Sequence, residues 1–250
     1  MFDALDGLWL IVLLLVPLLF LQRLLHREIQ AILLLLTRRS DIALTIFAIL
    51  FFPGVLLHES SHWLMARVLR VKTGRFSLIP KPLANGRLRL GYVETATPDI
   101  IRDALIGVAP LLAGGAFVIF AGVFQLNLAV FWENLQEDIN NIRLLKALFN
   151  QPDFWLWFYL VVTVSSTMLP SAADRKAWLP VTIFLSILLA ISIFAGAGDW
   201  LLDHLADPIG KAFNVLAMVF GISMGVHLVL IPPLWGIRRL LSYALKLDVV

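Results

Sequence analysis

The residues with the clearest chemical potential are His58-Glu59-Ser60-Ser61-His62, set inside a strongly apolar run. On an α-helix, residues four apart lie on one face, about 6 Å apart along the axis. Two imidazoles so placed can share a tetrahedral zinc ion, and the adjacent Glu59 can take a proton from a water that the metal activates. With five histidines and five glutamates in 250 residues, a chance match to this three-letter spacing is roughly a 0.2% event for independent draws. A bland alternative must explain three ionisable residues within a hydrophobic helix, where such groups are costly and functional by default.

A catalytic zinc takes a third protein ligand and leaves the fourth position to water. Asp174 is the candidate, on grounds of depth. From Ile42 to His62 and from Phe154 to Asp174 the chain advances equally, roughly 30 Å of continuous helix. If both helices start at the same membrane face, the three groups reach one level. The bland reading of Asp174 is a solvated loop acid beside Arg175 and Lys176. Other polar residues compete less well. His227, inside the last apolar run, reads as a packed, hydrogen-bonded histidine and a spare ligand. His204 reads as solvated, His26 as interfacial among Arg23, Arg27 and Glu28, Glu94 as a strand-end carboxylate, and Trp63 as packing.

The elements that must position these groups follow from composition. The chain is 60% hydrophobic and 15% charged, with a mean hydropathy of +0.89. A soluble domain carries roughly 45–50% apolar and about 25% charged residues, so a soluble globular class is excluded. Disorder is excluded by the same balance. The net charge of +3 is better explained by orientation in a bilayer than by nucleic-acid binding. The absence of cysteine removes disulfides, thiolate nucleophiles and sulfur metal sites.

Six stretches approach the length of about 20 apolar residues needed to cross a bilayer: residues 8–21, 42–68, 103–125, 154–169, 179–197 and 213–235. The N-terminus lacks the basic start of a signal peptide, so the first is read as retained. Residues 29–36 are apolar but short and read as interfacial or as a bent continuation of the first helix. The expected fold is an all-α polytopic membrane protein of about six transmembrane helices. Its parts are residues 1–41, a catalytic core over 42–176, and two spans with a basic tail over 177–250. The basic segment from Arg67 to Arg102 and the tail with Arg238, Arg239 and Lys246 fall inside, whereas the acidic segments 127–153 and 199–207 fall outside. Both termini are then cytoplasmic, as in a bacterial cytoplasmic membrane. Arg23, Arg27, Arg38 and Arg39 are the misfit. Residues 74–94 form a small membrane-associated β-hairpin: Asn85-Gly86 is a type I′ turn signal, and Arg87, Arg89 and Gly91 alternate with Leu88, Leu90 and Tyr92.

The constellation resembles the site-2 protease family of intramembrane zinc metalloproteases, over about residues 42–176. The resemblance rests on the histidine motif within a span, and on Pro170 and Asp174 two spans later, where the family has Asn-x-x-Pro followed by Asp-Gly. Here the spacing is one residue shorter and Arg175 stands in place of Gly. Gly107-Val108-Ala109-Pro110, with Gly114-Gly115 beyond, resembles the Gly-Pro element of the family's middle helix, and the hairpin matches its membrane β-element. The resemblance implies Zn2+ held by His58, His62 and Asp174, Glu59 as general base, and Ser166 or Thr167 in the place of the family's Asn at substrate or oxyanion. It further implies a transmembrane protein as substrate. The lipid bilayer is the expected surrounding, no nucleic-acid partner is expected, and oligomeric state is open. Two alternatives stand beside it. One is a catalytically silent relative that binds transmembrane segments; the other is a small ion transporter, disfavoured by the absence of paired halves with matching broken helices.

Overall fold

The computed structural model describes residues 2–82, 88–128 and 149–247. Helix α1 (Phe2–Thr37) runs unbroken for 36 residues. The 8–21 span and the 29–36 segment are thus one helix, so of the two readings of 29–36 the continuation of the first helix holds and the separate interfacial segment does not. Between them the chain holds only good helix formers such as Leu, Gln, Arg and Glu, and nothing that would stop it.

Helices α2 (Ser40–Leu50) and α3 (Phe52–Val68) share the run read as one span, but they meet at a bend of 66°. Pro53 lies in the first turn of α3. It lacks the N–H that a continuing helix needs there, and its fixed φ suits a helix start. Gly54 is a site of tight contact, where a Cβ would stand 2.3 Å from the Thr163 carbonyl oxygen.

The hairpin is present as two short antiparallel ladders. Strand β1 (Thr73–Ser77) pairs with β4 (Tyr92–Thr95), with Phe76 opposite Val93 and an irregularity between Thr73 and Phe76. Strand β2 (Lys81–Pro82) pairs with β3 (Leu88–Arg89). The Asn85-Gly86 turn lies outside the described residues, as do most of the acids expected in the segment 127–153. Helix α4 (Ile100–Ile119) is capped by Asp99, whose carboxylate accepts the Arg102 N–H, and continues as a π-helical stretch, Phe120–Gln125. Helix α5 (Phe154–Thr167) is only 14 residues long. Helix α6 (Trp178–Ser192) passes through a π-helical stretch, kinked at Gly196 (φ 87°), into α7 (Gly198–Leu245).

The chain is mainly helical and carries helices fit to cross a membrane, though not six among the described residues. Three qualify by length and apolarity: Gly7–Thr37, Ile100–Gln125 and Trp178–Leu245, with the bent α2–α3 pair as a fourth. The spans expected at 179–197 and 213–235 fall within the single apolar run Trp178–Leu245, and α5 is too short to qualify.

Helices α3, α4 and α5 pack together around the histidine motif. Leu18, Val118, Val164, Met168, Val219 and Phe220 join α1, α4, α5 and α7 in one buried cluster. Helices α1 and α7 run parallel: Gly7 lies against Phe213 and Asn214, Leu14 lies near Gly221, and Glu28 pairs with Arg238. The start of α1 and the end of α7 are thus at opposite ends of the pair. Arg27, Arg38 and Arg39 sit at the same end as Arg238, Arg239 and Lys246, so they form one basic region rather than two on opposite sides.

Candidate metal centre

His58 and His62, one turn apart on α3, bring their Nε2 atoms to 3.2 Å. The Nδ1 of His58 is 2.7 Å from the Thr167 carbonyl oxygen, and the Nδ1 of His62 is 2.8 Å from that of Ile106. A carbonyl can only accept, so both Nδ1 atoms carry the proton. In the neutral rings both Nε2 lone pairs then point into the same small space. Asp174 closes it, with Oδ1 3.3 Å from His62 Nε2 and Oδ2 3.8 Å from His58 Nε2. The three ligand atoms lie within 4.8 Å of one another. Ligands around tetrahedral zinc at 2.0–2.1 Å stand about 3.3–3.4 Å apart; the Nε2–Nε2 and His62–Asp174 separations are close to that spacing, and the set as a whole is wider. Two lone pairs and a carboxylate facing one another without a cation would repel. The donor set therefore suits a divalent metal.

The carbonyls that anchor the rings are free for a reason written in the chain. In α4 the Ile106 carbonyl would accept from the residue four on, which is Pro110 and has no N–H. The Thr167 carbonyl ends α5, and the N–H that could close a further turn, that of Ser171, goes instead to Asp174 Oδ2 at 2.6 Å. Second-shell bonds of this kind fix the tautomer and orientation of ligand histidines.

Asp174 does not continue a helix past Pro170, as equal depth along two continuous helices supposes. Helix α5 stops at Thr167 and a short irregular segment carries Asp174 back to the histidines. The Asp174 N–H returns a bond to Ser171 Oγ at 3.3 Å. Small residues of α4 make room for this segment. A Cβ on Gly107 would fall 2.0 Å from the Asp174 carbonyl oxygen, and one on Gly114 would fall 2.4 Å from Met168 Cβ. Burial pushes the Asp174 carboxyl up, while the bond it accepts from the Ser171 N–H favours the ionised form and pulls it down. It is ionised at neutral pH, as a ligand must be.

Glu59 is 8% exposed and borders the same cavity of about 710 Å³ as His58, His62 and Asp174. Gly91, at the start of the returning strand, lies over it: a Cβ there would come within 2.8 Å of Glu59 Cγ. Tyr92, Val93 and Thr95 of β4 line the cavity beside it.

The other expected residues fare differently. Ser166 and Thr167 both line the cavity, and each hydroxyl has a hydrogen-bond partner within the protein. Ser166 Oγ is 2.9 Å from His227 Nε2, and Thr167 Oγ1 bonds back to the Thr163 carbonyl at 2.9 Å. Thr167 serves the centre through its backbone carbonyl instead. His227 is fully buried and hydrogen-bonded, away from the ligand set. His26 is not an interfacial residue: it borders the cavity, edge-on to Phe47 and Phe51. His204 is exposed and stacked on Trp200. Glu94 accepts the Arg75 N–H within the hairpin, and Arg67 covers the Trp63 ring. Gln22, just beyond the first expected span, donates to the Ser166 carbonyl. Its readable signal is a proline four residues after the acceptor.

No protein-family model, curated protein or solved structure matches this chain.

Proposed function

We propose that the chain is an intramembrane zinc metalloprotease of the site-2 type, cleaving a peptide bond in or beside a transmembrane segment of another membrane protein. One observation carries the reading: His58, His62 and Asp174 place three ligand atoms within 4.8 Å, beside the carboxylate of Glu59. Zinc held there would supply Lewis-acid polarisation of the scissile carbonyl and make a water acidic enough to ionise near neutral pH. Glu59, next in sequence to the first ligand, takes that proton and returns it to the leaving nitrogen. His58 and His62 keep their Nδ1 protons on backbone carbonyls throughout, so neither ring drifts from its orientation. Among the described strands β4 is paired with β1 alone. An unwound substrate segment laid along the other edge of β4 would keep its backbone groups bonded at membrane depth.

The test uses the full chain, reconstituted with zinc in lipid vesicles alongside single-span membrane proteins. Wild type is expected to cleave, and Glu59→Gln to hold zinc without cleaving. Persistent cleavage by Glu59→Gln overturns the assignment. A second reading, a silent relative that binds transmembrane segments, is favoured by the engagement of both the Ser166 and Thr167 hydroxyls within the protein. It expects no cleavage by the zinc-loaded wild type.

A further inference from the structure

Two helices outside the α3–α5 core converge on Ser166, the last residue but one of α5. From α1, Gln22 donates its side-chain amide to the Ser166 carbonyl. Pro170, four residues on, offers that carbonyl no N–H, so the helix itself cannot satisfy it. From α7, His227 reaches the Ser166 hydroxyl at 2.9 Å, while its Nδ1 lies 2.6 Å from the Ser223 carbonyl oxygen. That carbonyl requires the proton on Nδ1, so Nε2 accepts and the Ser166 hydroxyl donates. Ser166 is 1% exposed and His227 and Ser223 are wholly buried. The next residue, Thr167, supplies the carbonyl that orients His58.

We infer that Gln22 and His227 are positioning residues of the metal centre, holding Ser166 by its carbonyl and its hydroxyl so that the Thr167 carbonyl aims at His58. The inference rests on the reading of His58, His62 and Asp174 as zinc ligands. The last turn of a helix lacks the bonds that stiffen its interior. Without an outside grip, the peptide planes at Ser166 and Thr167 can rotate together. A rotated Thr167 carbonyl loses the His58 N–H, and the Nε2 lone pair no longer points at the metal. Partners that orient a ligand histidine are worth about 10–100-fold in metal affinity. One step further out, the lower end of that range applies. The arrangement also assigns a task to α1 and α7, which carry none of the metal ligands: each contributes one polar side chain to Ser166.

The experiment measures zinc affinity of the full chain in detergent micelles, by competition with a chromophoric chelator, together with the visible absorption of the cobalt-substituted protein. Gln22→Leu and His227→Phe are each expected to weaken zinc binding about tenfold and to shift the cobalt bands. His227→Gln, whose side-chain carbonyl can still accept from Ser166, is expected to keep both near wild type. Leu18→Ala removes packing from the same helix contact without touching Ser166, and is expected to lower the melting temperature with zinc affinity unchanged. The inference is overturned if Gln22→Leu and His227→Phe retain wild-type affinity and cobalt spectrum, or if Leu18→Ala weakens zinc binding as much as they do. Should His227→Phe fail to fold, Gln22→Leu decides alone, because leucine closely matches the volume of glutamine. A wild-type chain that takes up neither zinc nor cobalt overturns the metal-centre reading itself, and this inference with it.

Discussion

His62 donates its Nδ1 proton to the carbonyl of Ile106 at 2.8 Å, a carbonyl that Pro110 leaves without a partner in its own helix. A proline inside α4 thus serves a histidine on α3. The cost of one missing helical bond is offset by the bond that turns the His62 lone pair towards Asp174. The same device recurs at Pro170, which frees the Ser166 carbonyl for Gln22.

Replacing Pro110 by alanine restores an N–H that competes with His62 for the Ile106 carbonyl. The Pro110→Ala protein is expected to bind zinc more weakly, by about threefold or more, since one acceptor can be shared between two donors. Helix stability should hold or rise, because alanine is the better helix former. Chelator competition and thermal unfolding measure the two effects separately. Unchanged affinity would show that the Ile106 bond does not orient the ring.

Gly107 faces the backbone at Asp174, where an added Cβ would meet the carbonyl oxygen at 2.0 Å. Gly107→Ala must push away the segment that carries the third ligand. The expected result is a loss of about 1–3 kcal/mol of stability, as for overpacking, and at least tenfold weaker zinc binding, on the order of the second-shell effects. Gly225→Ala is the matched control. Nothing lies within 4 Å of a Cβ there, so it should be neutral or stabilise α7 by about 0.5–1 kcal/mol.

Asp174→Asn keeps the size and the acceptor for the Ser171 N–H but removes the charge. Zinc affinity should fall by about 100-fold or more, beyond what an outer partner costs. Helix content by circular dichroism should stay at the wild-type level. Zinc binding equal to wild type would remove Asp174 from the ligand set.

Glu28 is wholly buried and paired with Arg238, which keeps 22% of its side chain exposed. Glu28→Leu strands the guanidinium and is expected to cost about 2–4 kcal/mol, somewhat under the range for fully buried pairs. Replacing both residues by leucine should recover most of that loss, since two desolvated charges are removed together. Zinc affinity should not change in either protein. Thermal unfolding of the three chains makes the comparison. A double variant as unstable as the single one would argue against the pair as the link between α1 and α7.

Hydropathy counting mistook continuity for separation and the reverse. Hydrophobic windows register how apolar a stretch is, whereas a helix stops only where backbone bonds cannot continue. The stretch around residues 22–28 is polar enough to look like a span end, yet α1 runs through it because Glu28 and Gln22 find partners on α7 and α5. The run 42–68 is apolar enough to look unbroken, yet Pro53 splits it. His26 looked interfacial from its charged neighbours, but a helix turns adjacent residues to different faces, and its own face meets Phe47 and Phe51.

What the sequence determined by itself was local. His58 and His62 share a face because helix geometry places residues four apart together, and Glu59 follows from its place between them. The hairpin over 74–94 was legible from strand alternation, whereas equal depth along two continuous helices reached Asp174 through a helix that in fact stops at Thr167. The tertiary structure decided which carbonyls hold the imidazoles, which hydroxyls are already engaged, and that α1 and α7 run side by side in the same direction. Those depend on groups far apart in the chain meeting across helix contacts, and no local period encodes such a meeting. The one trace they leave in sequence is proline, since a missing N–H marks the carbonyl four residues earlier as open to a partner from elsewhere.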